Sequence, residues 1–244
     1  MKYAVQLYSL SNYIQTNGLD NTLKMILDAG YEGVEFAGFY NLKANEIKLM
    51  LDKYHLKAVS AHIPLHNIES QLDYLLTLNI SYVVIPYISF EEWRDNSDKI
   101  IDKIKEVQKL LKQHQIVLGY HNHAHEFKDH FNFIQLLADK IPSILLQFDV
   151  CWLTYAHQDI ALTFDCYQKH LKLIHIKDFS TYENVTLNTP LIGEGKVDMK
   201  TVFNKCQAYF IEWCILEAEN IQHEIPYYLN KSLQNMKILE NQTN

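Results

Sequence analysis

The stretch from Ile116 to Asp149, IVLGYHNHAHEFKDHFNFIQLLADKIPSILLQFD, reads as one β-α-β unit. Ile116 to His121 and Ile144 to Asp149 are short runs of strand-forming residues, and His130 to Lys140 between them spaces its apolar residues as an amphipathic helix does. Two strands joined through a helix pair in parallel, because the chain must cross the sheet before it can run in the same direction again. Both strands end on an ionisable residue, His121 and Asp149.

The same alternation continues in both directions. Further strands are expected at Tyr3 to Tyr8, Gly33 to Phe36, Ala58 to His62, Tyr82 to Pro86, Leu173 to Lys177 and Ile211 to Glu217. Helical spacing falls at Leu19 to Ala29, Ala44 to Tyr54, Ile68 to Leu78, Glu91 to Gln113, Ile160 to His170, Met199 to Cys206 and Ile221 to Met236. Eight such units within 244 residues match a closed (β/α)8 TIM barrel, eight-stranded and parallel, better than an open doubly wound sheet. No GxGxxG or GxxxxGK[ST] loop follows a strand, which removes the common nucleotide-binding folds. No Pro/Gly/Ser-rich linker divides the chain, so a single TIM-barrel domain over residues 1–244 is expected.

Composition narrows the setting. With 48% apolar residues the chain can bury a large core, yet no apolar run approaches the length of a membrane span. The amino-terminal segment lacks the features of a signal peptide, which makes a cytoplasmic protein the expectation. Cys151, Cys166, Cys206 and Cys214 have no CxxC spacing and lie in apolar segments, as free buried thiols do, so neither disulfides nor a thiolate metal site is expected. A formal net charge of -7 repels a phosphate backbone and argues against a nucleic-acid partner. Twelve histidines and sixteen tyrosines are over-used, as they are where polar ligands or metals bind.

In a (β/α)8 barrel the chemistry sits at the carboxyl ends of the strands. Glu35, His62, His121, Asp149, His175 and Glu217 all stand at such ends. Any one of them could merely cap the following loop, but an apolar strand has no structural need for an ionisable end. Asp149, His175 and Glu217 close three successive strands, so their side chains can converge near the barrel axis. Two carboxylates and an imidazole suit one divalent cation such as Mn²⁺, Mg²⁺, Co²⁺ or Zn²⁺. After the fifth strand, His121, His123, His125 and Glu126 crowd together more densely than packing requires, and period-two alternation puts His121 and His123 on one face.

These segments together resemble the xylose isomerase-like barrels of the sugar phosphate isomerase/epimerase group, which also includes inosose dehydratases and, more distantly, endonuclease IV. The resemblance covers essentially the whole chain. It is carried in order by Gly30 to Phe36, Ser60 to Leu65, Tyr120 to His123 with Glu126 and Phe127, Phe148 to Val150 with Trp152, Ile174 to Asp178, Gly193 to Gly195 with Asp198, and Leu216 with Glu217. It implies a metal held at the ends of strands five to eight, by Asp149, His175, Glu217 and, at the fifth strand, His121. Many relatives have a glutamate at that fifth position, serving as ligand and base. In this chain either His121 replaces it or Glu126 reaches in from the loop.

The resemblance also implies chemistry. In isomerases and epimerases of the group a metal polarises a carbonyl and the adjacent hydroxyl while a carboxylate removes the neighbouring proton, giving an enediolate. Epimerisation requires a second acid/base. If Glu217 is one, the other is His121, His123 or Glu126. Tyr8, Glu35, His62, His123, Trp152 and Lys177 are the substrate-binding candidates, Trp152 as an apolar face for a ring and Lys177 as a partner for substrate oxygen. The expected substrate is a keto-sugar or sugar derivative. Alternatives are a dehydratase, a non-catalytic sugar-binding barrel and a metal-dependent nuclease, the last opposed by the acidic balance. The chain's single arginine, Arg94, marks no phosphate site, which favours an unphosphorylated substrate. Exposed tyrosines are compatible with a homodimer without locating its face.

Overall fold

Eight parallel strands close into a barrel in sequence order in the computed structural model, which describes residues 1–128, 131–186 and 188–242. They are β1 (Lys2–Gln6), β2 (Gly33–Ala37), β3 (Lys57–His62), β4 (Tyr82–Ile85), β5 (Val117–His121), β6 (Leu145–Asp149), β7 (Leu173–Ile176) and β8 (Trp213–Leu216). Closure is made by β1 against β8, with Lys2 opposite Trp213 and Val5 opposite Leu216. Each expected strand is present, with its ends within two residues of the expected bounds.

The helices cover the outside: α1 (Ser11–Asp28), α2 (Ala44–Tyr54), α3 (Leu72–Thr77), α4 (Phe90–Gln113), α5 (Phe133–Lys140), α6 (Val150–Tyr155), α7 (Ile160–Tyr167), α8 (Met199–Ala208) and α9 (Ile225–Asn241). Three departures from the sequence reading have local causes. Helix α1 begins at Ser11 rather than Leu19, because Gly18, at φ 80°, kinks the helix without ending it. Ile68 is a turn between two 3-10 segments, Leu65–Asn67 and Glu69–Gln71, and α3 starts only at Leu72. Helix α6 was not anticipated, since it starts directly at the end of β6 with Asp149 as its cap. The expected start of the fifth helix, His130, lies outside the described residues. Cys166 is exposed, unlike Cys151, Cys206 and Cys214, because α7 turns Ile160, Thr163, Phe164 and Tyr167 inward and leaves Cys166 on the opposite face.

What positions the site is the two-residue period of the strands. Leu145, Gln147 and Asp149 of β6 share one face, as do Leu173, His175 and Lys177 along β7 and just beyond it, and Trp213, Ile215 and Glu217 along β8. Leu145, Leu173, Trp213 and Ile215 join Ala4, Val59 and Val84 in an apolar plug inside the barrel. Gly33 makes room for it, since a Cβ there would sit 2.7 Å from Val59 and 3.2 Å from the Trp213 ring. Above the plug the inward residues are polar: first Gln147 and His175, then Asp149, Lys177 and Glu217, all buried.

The segment 179–197 between β7 and α8 is pinned by Asp178. Its Oδ1 accepts the backbone N–H of Phe179 and Val197, and its Oδ2 accepts those of Gly193 and Gly195. Gly195 is required by this approach, because a Cβ there would lie 2.1 Å from Asp178 Oδ1. Replacing Asp178 by Ala orphans several buried N–H groups, a loss of about 3 kcal/mol, with charge-assisted bonds among those removed. Asp178→Ala is expected to lower the melting temperature by roughly 6–12 °C for a chain of this size. It should also make the 179–197 segment the first site of limited proteolysis, and a variant that melts and digests like wild type would disprove the anchoring role.

Candidate metal and substrate site

The carboxyl ends of the later strands bring four of the anticipated residues together. One ligand-capable atom from each of His121, Asp149, His175 and Glu217 falls within 4.8 Å of the others. All four residues are buried. Their state within the protein is informative: Nδ1 of His121, Oδ2 of Asp149 and Nδ1 of His175 have no hydrogen-bond partner. Buried polar atoms are rarely left unsatisfied, and here His121 Nδ1 and Asp149 Oδ2, both without a close partner, belong to residues of one tight cluster. Nδ1 of His175 lies instead 2.5 Å from Glu217 Oε2, as an ion pair. This donor set of two imidazoles and two carboxylates fits a divalent cation of the hard or borderline class.

Asp149 combines the capping and the ligating readings. Its Oδ1 accepts the Trp152 N–H at 3.0 Å and starts α6, which leaves Oδ2 free. Its backbone N–H donates to Asn122 Oδ1 at 3.0 Å, tying β6 to the loop after β5. Burial raises the Asp149 carboxyl to about 7, against the pull of Lys177. Burial also acts on Glu217, but Lys177 and His175 outweigh it and hold that carboxyl well below its usual range. Lys177 has no exposure at all; its Nζ lies 2.9 Å from Glu219, 3.6 Å from Glu217 and 5.0 Å from the centre of the Trp152 ring.

Beneath the cluster lies Glu35, whose role the sequence could not have indicated. It is fully buried, and it does not line the cavity in which a substrate would sit. Its Oε1 accepts from Gln6 Nε2 at 2.7 Å and lies 2.5 Å from His175 Nε2. Its Oε2 accepts from Ser60 Oγ at 2.5 Å and Gln147 Nε2 at 2.6 Å. His62 stands 3.2 Å away and also meets Gln147 Oε1 at 2.7 Å. Burial opposes the charge on Glu35, but His62 and His175 overcome it and draw the carboxyl down to about 2. Glu35 and Glu217 in turn lift His175 to about 10 despite its burial.

The loop after β5 separates the two fifth-strand candidates. His121 stands in the four-residue cluster, whereas Glu126 groups with His123 and His125. Both Glu126 oxygens are occupied, Oε1 by the Tyr120 hydroxyl at 2.8 Å and Oε2 by the His123 N–H at 2.8 Å. Glu126 therefore holds the loop that presents His123. Burial drives the His123 imidazole down to about 3, so it is neutral at physiological pH, and its Nδ1 has no partner.

Above the cluster opens a cavity of about 510 Å³ lined by Gln6, Tyr8, Ala37, Gly38, His62, Pro64, Pro86, Tyr87, His121, His123, Glu217 and Glu219. Of the substrate candidates, Tyr8, His62 and His123 reach it. Trp152 stands behind His123, with ring centres 5.2 Å apart. Gln6, Tyr87 and Glu219 are lining residues that the sequence reading missed. Gln6 was detectable in principle, because it ends β1 as His62 ends β3; Tyr87 and Glu219 come from loops whose path no local pattern predicts. Arg and Lys are absent from this lining, which is consistent with an unphosphorylated substrate.

No helix among the described residues is long and apolar enough to cross a membrane. No curated protein sequence matches the chain. Among solved structures it is similar to a sugar phosphate isomerase/epimerase from Parabacteroides distasonis, with 21% identity and a TM-score of 0.80 over 98% of this chain and 93% of that one. A probable 3-DHS dehydratase from Bacillus anthracis aligns with 14% identity and a TM-score of 0.80, over 98% of each chain. The 3-keto-D-glucoside 4-epimerase of E. coli aligns with 15% identity and a TM-score of 0.73, over 98% of this chain and 99% of that one. At such identities the likeness is one of fold. The family model for the xylose isomerase-like TIM barrel matches residues 23–239, and the chain belongs to that family.

Proposed function

We propose that this chain is a metal-dependent isomerase or epimerase that acts on an unphosphorylated keto-sugar or sugar derivative by removing a proton beside the carbonyl. The observation that carries the reading is the convergence of His121, Asp149, His175 and Glu217 at the floor of a substrate-sized cavity, with His121 Nδ1 and Asp149 Oδ2 buried and unpartnered. Held by these four residues, a divalent cation would supply Lewis acidity to a substrate carbonyl and its neighbouring hydroxyl.

The protein's own groups account for the proton transfer. Glu217 is ionised across the physiological range because Lys177 and His175 face it, and it lines the cavity, so it is the base that takes the α-proton. Lys177 keeps that carboxylate charged and is itself tethered by Glu219. With Glu126 occupied and His121 among the ligands, His123 is the remaining group at the cavity wall and hydrogen-bonds a substrate oxygen as a neutral imidazole. Glu35 is a positioning residue: by engaging His175 Nε2 it fixes the ring with Nδ1 turned toward Glu217, the nitrogen that would lose its proton and ligate a cation there, as carboxylates do behind metal-binding histidines.

Two experiments test the reading. Metal analysis of purified wild type should find a stoichiometric divalent ion that is lost from Asp149→Ala and His175→Ala, and the wild type should incorporate solvent deuterium at the α-carbon of a keto-sugar. Return of the proton identifies an isomerase or epimerase, and loss of water from the same substrate identifies a dehydratase. Protein that takes up neither Mn²⁺ nor Zn²⁺ when supplied would defeat the proposal. Separately, Glu35→Gln keeps the side-chain shape but removes the charge facing His175, and chelator competition should show metal binding about 10- to 100-fold weaker. Wild-type metal affinity in a folded Glu35→Gln protein would rule out the positioning role.

A further inference from the structure

The metal-side cavity has a neighbour of about 470 Å³ lined by Gly38, Phe39, Tyr40, Asn41, His62, Ile63, Pro64, Asn67, Gln71 and Tyr74. Gly38, His62 and Pro64 belong to both linings, so the two spaces meet along a shared wall. Each volume falls in the roughly 300–1,000 Å³ range of small-molecule sites.

The chemistry of this second space is distinctive. Its lining contains no Asp, Glu, Lys or Arg. It combines aromatic surface with side-chain amides, the pairing that suits a neutral polyhydroxylated ring: C–H faces against aromatics, hydroxyls against amides. Phe39 and Tyr74 form a stacked pair with ring centres 4.3 Å apart, and the Tyr74 hydroxyl donates to Leu42 O at 2.8 Å, which fixes the platform. The Tyr40 hydroxyl is buried without a hydrogen-bond partner. A phenol kept from water and left unpaired is costly unless a ligand completes it.

The backbone adds an independent sign. Tyr40 and Asn41 are consecutive non-glycine residues in the left-handed region, at φ 54° and 57°. Such conformations are unfavourable for a side chain as large as tyrosine, and strain of this kind clusters at ligand-binding positions. It turns the loop after β2 so that Tyr40 and Asn41 both line the space beside His62.

We infer that this second cavity is a subsite for an uncharged sugar ring, so that the substrate is a keto-disaccharide or glycoside whose reacting ring lies over the metal cluster and whose second ring lies against Tyr40, Gln71 and the Phe39–Tyr74 pair. The inference rests on the proposed sugar chemistry for placing the reacting ring.

Titration calorimetry of the metal-loaded protein tests it with maltulose, isomaltulose and turanose, each a ketose carrying a second ring, against D-fructose. At least one disaccharide is expected to bind ten times more tightly than D-fructose or better. Tyr40→Phe, which removes only the unpaired hydroxyl, should cut that advantage roughly five- to tenfold, as expected for one buried hydrogen bond. Gln71→Ala, on the accessible side of the subsite, gives a second variant should the first fail to fold. Disaccharides that bind no more tightly than D-fructose, or an advantage that survives both substitutions, would overturn the subsite. Deuterium exchange into D-fructose alone would then leave the proposed reaction standing on the metal-side cavity.

Discussion

A carboxylate with no access to water sits at the centre of this barrel, and the arrangement of the mouth depends on how its charge is met. Isolated, a buried Glu35 would be neutral. It is ionised because Ser60, Gln6 and Gln147 donate to it and His175 and His62 stand against it. The partners come from four strands, β1, β3, β6 and β7, so one charge on β2 fixes the rotation of side chains from all of them at once. His175 is the link upward: one ring nitrogen is committed to Glu35 and the other faces Glu217. The candidate ligand cluster is thereby seated on a fully hydrogen-bonded floor.

Much of this was legible in the sequence, for a definite reason. A period of two along parallel strands forces alternate residues to one face, so ionisable residues ending successive strands had to converge. Asp149, His175 and Glu217 were readable in that way, and His121 joins them. Depth was not readable. Glu35 reads as a strand end but lies in the middle of β2, level with Ser60, whereas His62 ends β3 two residues higher, level with Ala37, so Glu35 lies beneath the cavity and His62 lines it. Glu126 was legible as a polar residue in a crowded loop but not as the acceptor of Tyr120 and His123, since that depends on a 3-10 turn from His125 to Phe127. The second cavity escaped notice because Phe39, Tyr40, Asn67 and Gln71 come from loops after two different strands, and nothing in their spacing places them together.

The charges around Glu217 bear on the choice among chemistries open to this fold. A nuclease needs cationic surface to hold a phosphate backbone, whereas the cavity here is bordered by Glu217 and Glu219, and the buried ammonium of Lys177 is occupied by both. Burying an ion pair is costly unless each charge is well met, and Lys177 is enclosed by two carboxylates and the face of Trp152. The cost is understandable if the ion pair sets the protonation state of Glu217, because a neutral carboxyl at that position could not accept a proton from carbon. His123, which burial keeps neutral, stands as a hydrogen-bonding group on another part of the same wall. A charged carboxylate and a neutral imidazole, held apart by their environments, are what the proposed removal of a proton beside a carbonyl would demand of the protein.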